Sequence, residues 1–482
     1  MPKQSISMEL VTKETTMVIK RNYSIDLLRG LAIIGMVLAA VVPWLADWPG
    51  WMYHAQVGPP DFKFNPNNPG ITWVDLVFPF FLFAMGAAFP LALRNKLESK
   101  QYKVMVTGLL RRGLLLVFFA ITLAYFTPDN LKANPLVNYM TALAVFASYF
   151  LIFLRFEGTP LRRYGLQALG FILIILLGYY HSEVLGHTFD KAKNNIIILV
   201  LANMAVFGSI CWLLTANNFL LRTGIIVAFI GIWFTKDIAG SWTGALWNFH
   251  PEIKWFYNFA FLKYLCIVLP GSILGDLLIT HRSVTNNAFT DEERPRVRLL
   301  ALMGLAFVCF HVVTLYMRLL EVNLIGHTLF GVLFFLFFRN NDKGQFGFYK
   351  LLIAWGYTLA TIALFFEPLD GGIKKDPSSF SYWFLTSGLA FVFYIVCDYL
   401  TKVFPNNLLV SSIVKNGQNP MIAYCVSAFC ITPILGLLHI LPVFDYLSGI
   451  DPALGLVRTV VYMLLMIIIT NYATTKRWFW RS

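Results

Sequence analysis

A segment between the first two apolar stretches of the chain holds a residue well suited to acid–base chemistry. His54 lies in the segment 47–72, whose Pro and Gly content excludes a helix over most of its length. Histidine is the usual general base near neutral pH because its proton moves in that range. A solvated or capping histidine beside interfacial aromatic residues explains the same pattern. Both interpretations stay open at this level.

Asp75 lies at the start of the next apolar stretch. The spacing Thr72-x-x-Asp75 resembles a capping box, with the carboxylate near the positive end of the helix. Pro79 has no N–H and frees the carbonyl of Asp75, which needs a partner, a cavity or water at membrane depth. An aspartate in hydrocarbon costs about 2.5–3.5 kcal/mol. We therefore expect Asp75 to face protein or a wet cavity, as a helix cap or as a catalytic group.

Four basic residues follow the second apolar stretch, and we call Arg94, Lys96, Arg111 and Arg112 the basic patch. Arg and Lys bind phosphate oxygens, so the patch suits the phosphates of a nucleotide-like cofactor. Anionic lipid headgroups are the alternative ligand.

Aromatic and amide side chains elsewhere suit contact with a sugar. Trp51 precedes His54, and Trp247 lies in the segment 237–255, although an interfacial aromatic belt has the same composition. Lys375 stands just before a late apolar stretch. Asn419 begins another stretch and is followed by Pro, which an N-cap and a first-turn proline explain well.

Membrane helices are the elements that must position these residues. The 482 residues are 58% hydrophobic and 13% charged, about half the charged fraction of a soluble domain. Runs of about 20 apolar residues, long enough to cross a bilayer, recur along the chain. We predict an all-α polytopic transmembrane bundle with 10 to 14 spans. The candidate spans are 25–46, 73–93, 105–126, 137–154, 164–180, 196–214, 223–236, 256–280, 299–317, 323–338, 351–366, 382–400, 420–440 and 456–473.

The charge pattern predicts an orientation. Lys and Arg exceed Asp and Glu by 38 to 25, a formal net charge of +13. Alternate loops between the spans hold 24 Lys and Arg, and the other loops hold 8. The positive-inside rule then places both termini in the cytoplasm and explains the basic balance without nucleic acid. The predicted division is a cytoplasmic segment 1–24, one transmembrane domain 25–475 and a cytoplasmic tail 476–482.

Cysteines and short motifs argue against several classes of site. The six cysteines lie in or beside apolar spans without a CxxC spacing, so we interpret them as buried thiols. The sequence has no Walker loop, GxGxxG, HExxH or HxxxxD motif. We therefore predict neither a metal site nor a P-loop ATPase.

Several segments together resemble the heparan-α-glucosaminide N-acetyltransferase family, and especially its bacterial relatives with the DUF5009 domain. The first two helices carry the most specific part of the resemblance, and the region 105–350 matches only as hydrophobic spans. The segments are SIDLLRG at 24–30, His54-Ala55, GITWVDLVFPFFLF at 70–83, KDPSSFSY at 375–382, NPMIAY at 419–424 and KRWFW at 476–480.

The resemblance implies transfer of an acetyl group from cytosolic acetyl-CoA to an amino sugar or glycan across the membrane, here a bacterial inner membrane. His54, just before Ala55, falls at the place of the family's proposed catalytic histidine. The lysosomal enzyme has an Asn where this chain has Ala40, and a Pro- and Asn-rich insertion, 58–69, follows His54. Both departures bear on the mechanism.

The resemblance also implies roles for the other candidates. CoA phosphates would lie near the basic patch, and the thioester would reach Asp75 through a polar cavity. Asn419 or Lys375 would stabilise the oxyanion or bind the acceptor, beside Trp51 and Trp247. A homodimer is compatible with the sequence.

Two further interpretations stay open. A sugar or amino-sugar transporter fits the many spans, the proline-broken helices and the aromatic outer loops. A non-catalytic partner in glycan handling fits the replacement of the family Asn by Ala40.

Overall fold

The computed structural model describes residues 21–43, 48–190, 193–252 and 256–482. The apolar stretches form helices because a backbone in lipid must satisfy its polar groups within its own segment. Most of the predicted N-terminal segment 1–24 lies outside the described residues, which begin at residue 21. In the described ranges the helices are α1 (Tyr23–Val41), α2 (Trp73–Glu98), α3 (Tyr102–Phe126), α4 (Pro135–Phe153), α5 (Pro160–Tyr179), α6 (Ile196–Asn203), α7 (Ser209–Thr215), α8 (Phe219–Thr235), α9 (Trp242–Trp247), α10 (Leu265–Thr280), α11 (Arg282–Thr285), α12 (Glu293–Tyr316), α13 (Leu320–Arg339), α14 (Gln345–Phe366), α15 (Phe380–Val403), α16 (Leu408–Gln418), α17 (Pro420–Val426), α18 (Thr432–Leu437), α19 (Leu441–Ile450) and α20 (Pro452–Thr475).

Short π and 3-10 segments join some of these helices into longer crossings. A π turn, Tyr180–Val184, extends α5, and a second, Met204–Gly208, joins α6 to α7. A third, Ser427–Ile431, joins α17 to α18, and a 3-10 segment, Phe259–Tyr264, leads into α10. π turns inside helices often accompany functional sites.

The all-α polytopic bundle is confirmed. Among the described residues, thirteen helical stretches are long and apolar enough to cross a membrane, and α8 is a shorter apolar helix. Each of the fourteen predicted spans coincides with one of these. The described residues contain no β-strand, only an isolated bridge between Leu154 and Trp480. The division into segments at 24 and 475 stays a prediction.

Helices α2, α10 and α15 form the enclosed centre of the bundle. In α15, 94% of the most apolar 18-residue stretch is buried inside the protein, whereas in α5, at the periphery, the buried share of the corresponding stretch is 11%. Helices α2 and α10 cross with almost no gap: a Cβ at Gly86 would lie 2.0 Å from Val268 O, and one at Gly271 would lie 2.2 Å from Phe83 O. Small residues at such crossings let membrane helices pack closely.

Both ends of the described chain lie on one side of the bundle. Arg29, in the second turn of α1, lines the same cavity as the final residues Arg481 and Ser482. We call this side the tail side, after residues 476–482, and the opposite side, which carries segment 48–72, the loop side. The shared side of the two ends agrees with the prediction, and its assignment to the cytoplasm stays a prediction.

A buried ion network fixes the short helix α8 in the bundle. Asp276 in α10 accepts from Arg222 of α8 over 2.7 Å and from Arg94 of α2 over 2.8 Å. Trp212 Nε1 donates to the same carboxylate over 3.2 Å. Breaking such a buried pair costs about 3–5 kcal/mol because one charge is left alone. This network gives Arg94 a structural partner.

The cysteines follow the prediction only in part. All six are free thiols, and Cys266, Cys397 and Cys425 are buried as expected. Cys309, however, is exposed on α12. An apolar span has a lipid-facing surface as well as an inner one, and the sequence did not distinguish the two here.

Candidate functional site

The segment between α1 and α2 folds back onto the start of α2 and holds His54 there. Ala55 N donates a hydrogen bond to Asp75 Oδ2 over 3.2 Å. Thr72 Oγ1 donates to Tyr53 O over 2.6 Å. The residues on both sides of His54 are thus bonded to the first turn of α2 and its cap.

Asp75 acts as a helix cap and also contacts the histidine. The predicted capping box is present: Thr72 N donates to Asp75 Oδ2 over 2.9 Å, and Val74 N donates to Thr72 Oγ1 over 3.2 Å. The other oxygen, Oδ1, lies 2.7 Å from His54 Nδ1. The Asp75 side chain is fully buried, whereas 32% of the His54 side chain is exposed. A buried carboxylate at Nδ1 favours the tautomer in which Nε2 is free to act as a base.

Lys375 reaches the same histidine from the segment between α14 and α15. Its Nζ lies 3.1 Å from both His54 Nδ1 and His54 Nε2. Because Nζ is equally distant from the two ring nitrogens, the lysine lies beside the imidazole ring and does not occupy Nε2 alone. Burial lowers the pKa of Lys375, and the negative charges of Asp75 and Asp376 offset part of this effect because they raise the pKa. A cation here can stabilise negative charge that develops next to the base.

The backbone carbonyl of Asp75, which Pro79 leaves without a helical hydrogen bond, accepts a hydrogen bond from another helix. Tyr382 of α15 donates its hydroxyl to the backbone oxygen of Asp75 over 2.6 Å. Tyr382 is buried, as the expectation of a protein partner at membrane depth requires. The bond ties the first turns of α2 and α15 together, so the Asp75 backbone is held from two helices.

His54 and Lys375 open into a cavity of about 380 Å³, which we call the His54 cavity. Ala40 of α1, Val77 of α2 and Asn195 also line it. Asn195 caps α6 through its side-chain oxygen, which accepts from Ile198 N over 3.1 Å. Its amide nitrogen donates to Tyr424 over 3.2 Å. The cavity size lies in the ordinary range for a small-molecule site.

A second cavity, of about 490 Å³, opens on the tail side and carries four arginines. We call it the arginine cavity, after Arg29, Arg112, Arg155 and Arg481. Within the described part of the chain, only Arg29 has a carboxylate partner, Asp26 at 3.5 Å. Burial and the neighbouring arginines, Arg481 first, lower the pKa of Arg155. Four arginines that line one cavity, with a carboxylate beside only one of them, favour binding of a polyanionic ligand.

The two cavities meet inside the bundle. Met36 of α1, Ile197 of α6 and Tyr424 of α17 line both of them. Two apolar side chains and a phenol therefore lie between the arginine cavity and the His54 cavity. We call these three residues the junction.

The basic patch does not assemble in one place. Arg112 lines the arginine cavity, but Arg94 binds Asp276 and Asn217 instead. Arg111 is exposed and donates to Gln167 over 3.3 Å, and Lys96 is exposed. Arg111 and Arg112 point to different surroundings because successive residues of a helix face different directions.

Asn419 is buried on the tail side and binds the C-terminal tail. The prediction of a capping side chain is wrong: Asn419 occupies the N-cap position of α17, but its side chain makes no cap bond. Its Nδ2 donates to Trp478 O over 2.7 Å, and its Oδ1 accepts from Trp480 N over 3.4 Å. Trp480, which lines the arginine cavity, packs against Phe146, among other aromatic side chains. The tail is thereby built into the wall of that cavity.

The two predicted sugar-stacking tryptophans lie outside the lining of the His54 cavity. Trp51 is exposed in a 3-10 turn, Gly50–Met52, shortly before His54. Trp247 ends α9 and packs edge-on against Trp233, with ring centroids 5.3 Å apart. Neither lines the His54 cavity, whose aromatic lining is Phe78, Tyr424 and Phe429. Their proposed contact with a sugar stays a prediction.

Sequence reasoning missed several residues that the fold brings to the site. Arg155 and Arg481 are far apart in sequence, and each stands beside an apolar stretch where any loop arginine would be expected. Tyr424 ends the NPMIAY segment of the resemblance, but that segment gave it no role. Only Asn195, just before an apolar run, has a recognisable signal, that of a helix N-cap.

The comparisons with known proteins give a family but no activity. A family model described as "Domain of unknown function (DUF5009)" matches residues 21–278. No curated protein shows a significant match to the chain. The matched region runs from α1 almost to the end of α10 and includes His54, Asp75, Arg112 and Asn195, while Lys375 and the tail lie beyond it. Because the match covers more than half of the 482 residues, the chain belongs to the DUF5009 family.

Proposed function

We propose that the protein transfers an acyl group, in the simplest case acetyl, from CoA on the tail side to an amino sugar or glycan on the loop side. The observation that carries this proposal is the junction of Met36, Ile197 and Tyr424. It connects a cavity suited to a polyanion with a cavity that holds a histidine, a carboxylate and a lysine. A thioester donor needs both: a site for its phosphates and a base near its acyl group.

The arginine cavity supports CoA as the donor. Arg112 and Arg155 have no carboxylate partner among the described residues, so their charges are available to phosphate oxygens. The pantetheine arm of CoA is long, thin and without charge. Such an arm fits the narrow junction better than a bulky or charged group would.

The His54 cavity supports the chemistry of transfer. His54 Nε2 accepts the proton of the acceptor amine or hydroxyl as its nitrogen or oxygen bonds to the acyl carbon. The carbon–sulfur bond breaks, and the CoA thiolate leaves and takes up the proton. Lys375 and the amide of Asn195 line the same cavity and can stabilise the intermediate oxyanion. The thioester supplies the driving force, so ATP is not required.

The proposed orientation places the tail side in the cytoplasm of a bacterium, in its inner membrane. The loops on that side carry most of the Lys and Arg. Acetyl-CoA is a cytoplasmic metabolite, so the arginine cavity would face its supply.

The test is transfer in proteoliposomes with radiolabelled acetyl-CoA on one side and amino sugars on the other. Wild-type protein should form a labelled acetyl sugar, and His54→Ala should not, although it should fold and bind acetyl-CoA normally. Equal product formation by wild type and His54→Ala would contradict the assignment of the base.

A transporter is the second candidate, because connected cavities that run from the tail side to the loop side also provide a path for a solute. Proteoliposomes loaded with buffer and given labelled glucosamine without any acyl donor distinguish the two. Saturable uptake without a donor would favour the transporter. Product formation that depends on the donor would favour the transferase.

A further inference from the structure

A third cavity, of about 670 Å³, lies on the loop side beside the His54 cavity. We call it the outer cavity. Helices α1, α4, α18, α19 and α20 contribute to its wall, and of the residues described above for the candidate functional site only Ala40 belongs to it. Its volume exceeds that of the His54 cavity, so it can hold a larger molecule than the reacting group alone.

Three small residues connect the outer cavity to the His54 cavity. Ala40 of α1 and Ser427 and Ala428 of the π turn line both cavities, and we call them the neck. Ala40 is the position where the resemblance leads us to expect Asn. Only small side chains, one from α1 and two successive ones from the π turn, therefore border both cavities at this point.

The lining of the outer cavity mixes polar and apolar side chains. Tyr139 and Tyr462 bring aromatic rings to it, and Asp129, His439 and Arg458 bring polar groups. Mixed donors, acceptors and rings suit a headgroup that carries several hydroxyl or amine groups.

The rim of the same cavity is apolar and exposed. Leu136, in the first turn of α4, lines the cavity with 60% of its surface exposed. Leu438, between α18 and α19, is 62% exposed next to the lining residues Leu437 and His439. Exposed leucines at the edges of membrane-spanning helices face lipid more favourably than water. A cavity that combines polar groups inside with exposed leucines at its rim suits an amphiphile better than a free sugar.

We infer that the outer cavity binds the sugar headgroup of a lipid-carried acceptor, which enters from the bilayer between α4 and α19. The neck then admits its amine or hydroxyl to His54. The inference rests on the proposed transferase function, but it assigns a separate binding site and a route of entry. The acyl carbon–sulfur bond of CoA breaks and the bond to the headgroup forms, with the headgroup proton passing to His54 and then to the CoA thiolate.

The neck is tested with protein in nanodiscs, acetyl-CoA as donor and dodecyl glucosaminide as acceptor probe. Ala40→Leu and Ala428→Leu should each reduce transfer on the order of 100-fold, because a reacting group displaced by about 1 Å already costs that much. Binding of acetyl-CoA should stay unchanged in both. Ala147→Leu, on the lipid-exposed surface of α4, is the matched control and should keep wild-type transfer. Wild-type transfer in both neck variants would overturn the role of the neck.

The route of entry is tested by comparing dodecyl glucosaminide with free glucosamine in the same assay. We expect the lipid-carried sugar to be acetylated at least about 10-fold more efficiently, since a dodecyl chain at the apolar rim adds burial of many CH₂ groups. Equal efficiency, or transfer to neither sugar by protein that binds acetyl-CoA, would overturn the inference while leaving donor binding intact.

A binding measurement without a donor separates this inference from the proposed function. A dodecyl glucosaminide with a photoreactive diazirine in its chain should label peptides that contain Leu136 and Leu438. Excess dodecyl glucosaminide should compete with the label, and glucosamine should not. Diffuse labelling that no competitor reduces would overturn the inference even where acetyl transfer occurs. Saturable labelling would support the site even where acetyl-CoA fails to bind.

Discussion

The surroundings of His54 differ from those of the buried pair His311 and His327, and we compare the two as the two histidine groups. His54 contacts a fully buried carboxylate and a lysine and opens into a cavity that adjoins the arginine cavity. His311 of α12 and His327 of α13 contact each other, with 3.1 Å between His311 Nε2 and His327 Nδ1. Both are buried, and neither lines any of the cavities described above.

The second group is satisfied by neutral partners alone. His311 Nδ1 lies 2.8 Å from Phe307 O, and His327 Nε2 lies 2.8 Å from Thr361 Oγ1. The His327 ring stacks on Tyr357 with centroids 4.1 Å apart. Every ring nitrogen is therefore used inside the bundle, which stabilises the packing of α12, α13 and α14.

The difference shows that a histidine in a membrane span is not by itself a sign of chemistry. His54 combines an orienting carboxylate, a neighbouring cation and access for a ligand, and each of these is missing at the pair. The comparison predicts that substitutions at the two groups separate activity from stability.

The largest expected effect follows from His54→Ala. Loss of the general base should reduce the transfer rate by about 10²–10⁴-fold, with folding and acetyl-CoA binding preserved. The rate of labelled product formation per mole of folded protein checks this. A rate within a few fold of wild type would remove the contrast between the two histidine groups.

Asp75→Asn should come next. The amide can keep part of the helix cap but no longer stabilises a proton on His54 Nδ1 or orients the ring as a carboxylate does. We expect transfer to fall by about 10–100-fold. Thr72→Val is the control, because valine removes the capping hydroxyl and leaves the carboxylate in place. Equal losses in the two variants, measured beside circular dichroism, would indicate that Asp75 acts only as a cap.

Arg112→Ala should weaken acetyl-CoA binding by about 10-fold, the equivalent of one charge-assisted hydrogen bond of about 1.4 kcal/mol. Arg111→Ala is a matched control one residue away, because Arg111 is exposed and lies outside the arginine cavity. Titration calorimetry measures both. The opposite ranking of the two variants would place the donor phosphates on the outer surface of α3.

The pH dependence of transfer sharpens the role of Lys375. Burial lowers the pKa of this ammonium, so it loses its proton below the usual lysine range. The cation is present below that lowered pKa and is lost as the pH rises through it, so the alkaline side of the profile should fall early. Lys375→Arg, which stays charged, should extend activity to higher pH. An unchanged alkaline limb in that variant would exclude the lysine proton as its cause.

The smallest effect on activity is expected for His311→Leu. This substitution leaves a His327 nitrogen unpaired, so stability should fall by about 1–3 kcal/mol. Activity per folded molecule should stay at the wild-type level. Denaturant unfolding in detergent, together with the transfer rate of the folded fraction, measures both. A fall in the specific rate comparable with that of His54→Ala would mean that the two histidine groups act together.

Local patterns of the sequence predicted much of the fold. The spans, the Thr72–Asp75 capping box and the carbonyl that Pro79 frees all depend on neighbours within a few residues. Asn419 shows the limit of that reasoning, because an amide placed to cap a helix instead binds the backbone of the tail. Asn419 makes two hydrogen bonds to the backbone of the tail, at Trp478 and Trp480, in place of the one local bond that a helix cap would provide.

The site depends on contacts that no local pattern contains. Lys375 and His54 are 321 positions apart, and their meeting follows from how α2 packs against α15. The arginine cavity likewise gathers residues from α1, α3, the end of α4 and the tail. The rotation of α3 about its axis, relative to the helices packed against it, decides that Arg112 and not Arg111 faces the arginine cavity. The sequence alone does not determine that rotation.

The most direct test is calorimetric binding of acetyl-CoA to the wild-type protein in nanodiscs, with CoA and ATP for comparison. We expect micromolar binding that prefers acetyl-CoA to ATP and is weakened in Arg112→Ala but not in Arg111→Ala. No binding at millimolar acetyl-CoA, or binding that Arg112→Ala leaves unchanged, would contradict the assignment of the arginine cavity as the donor site.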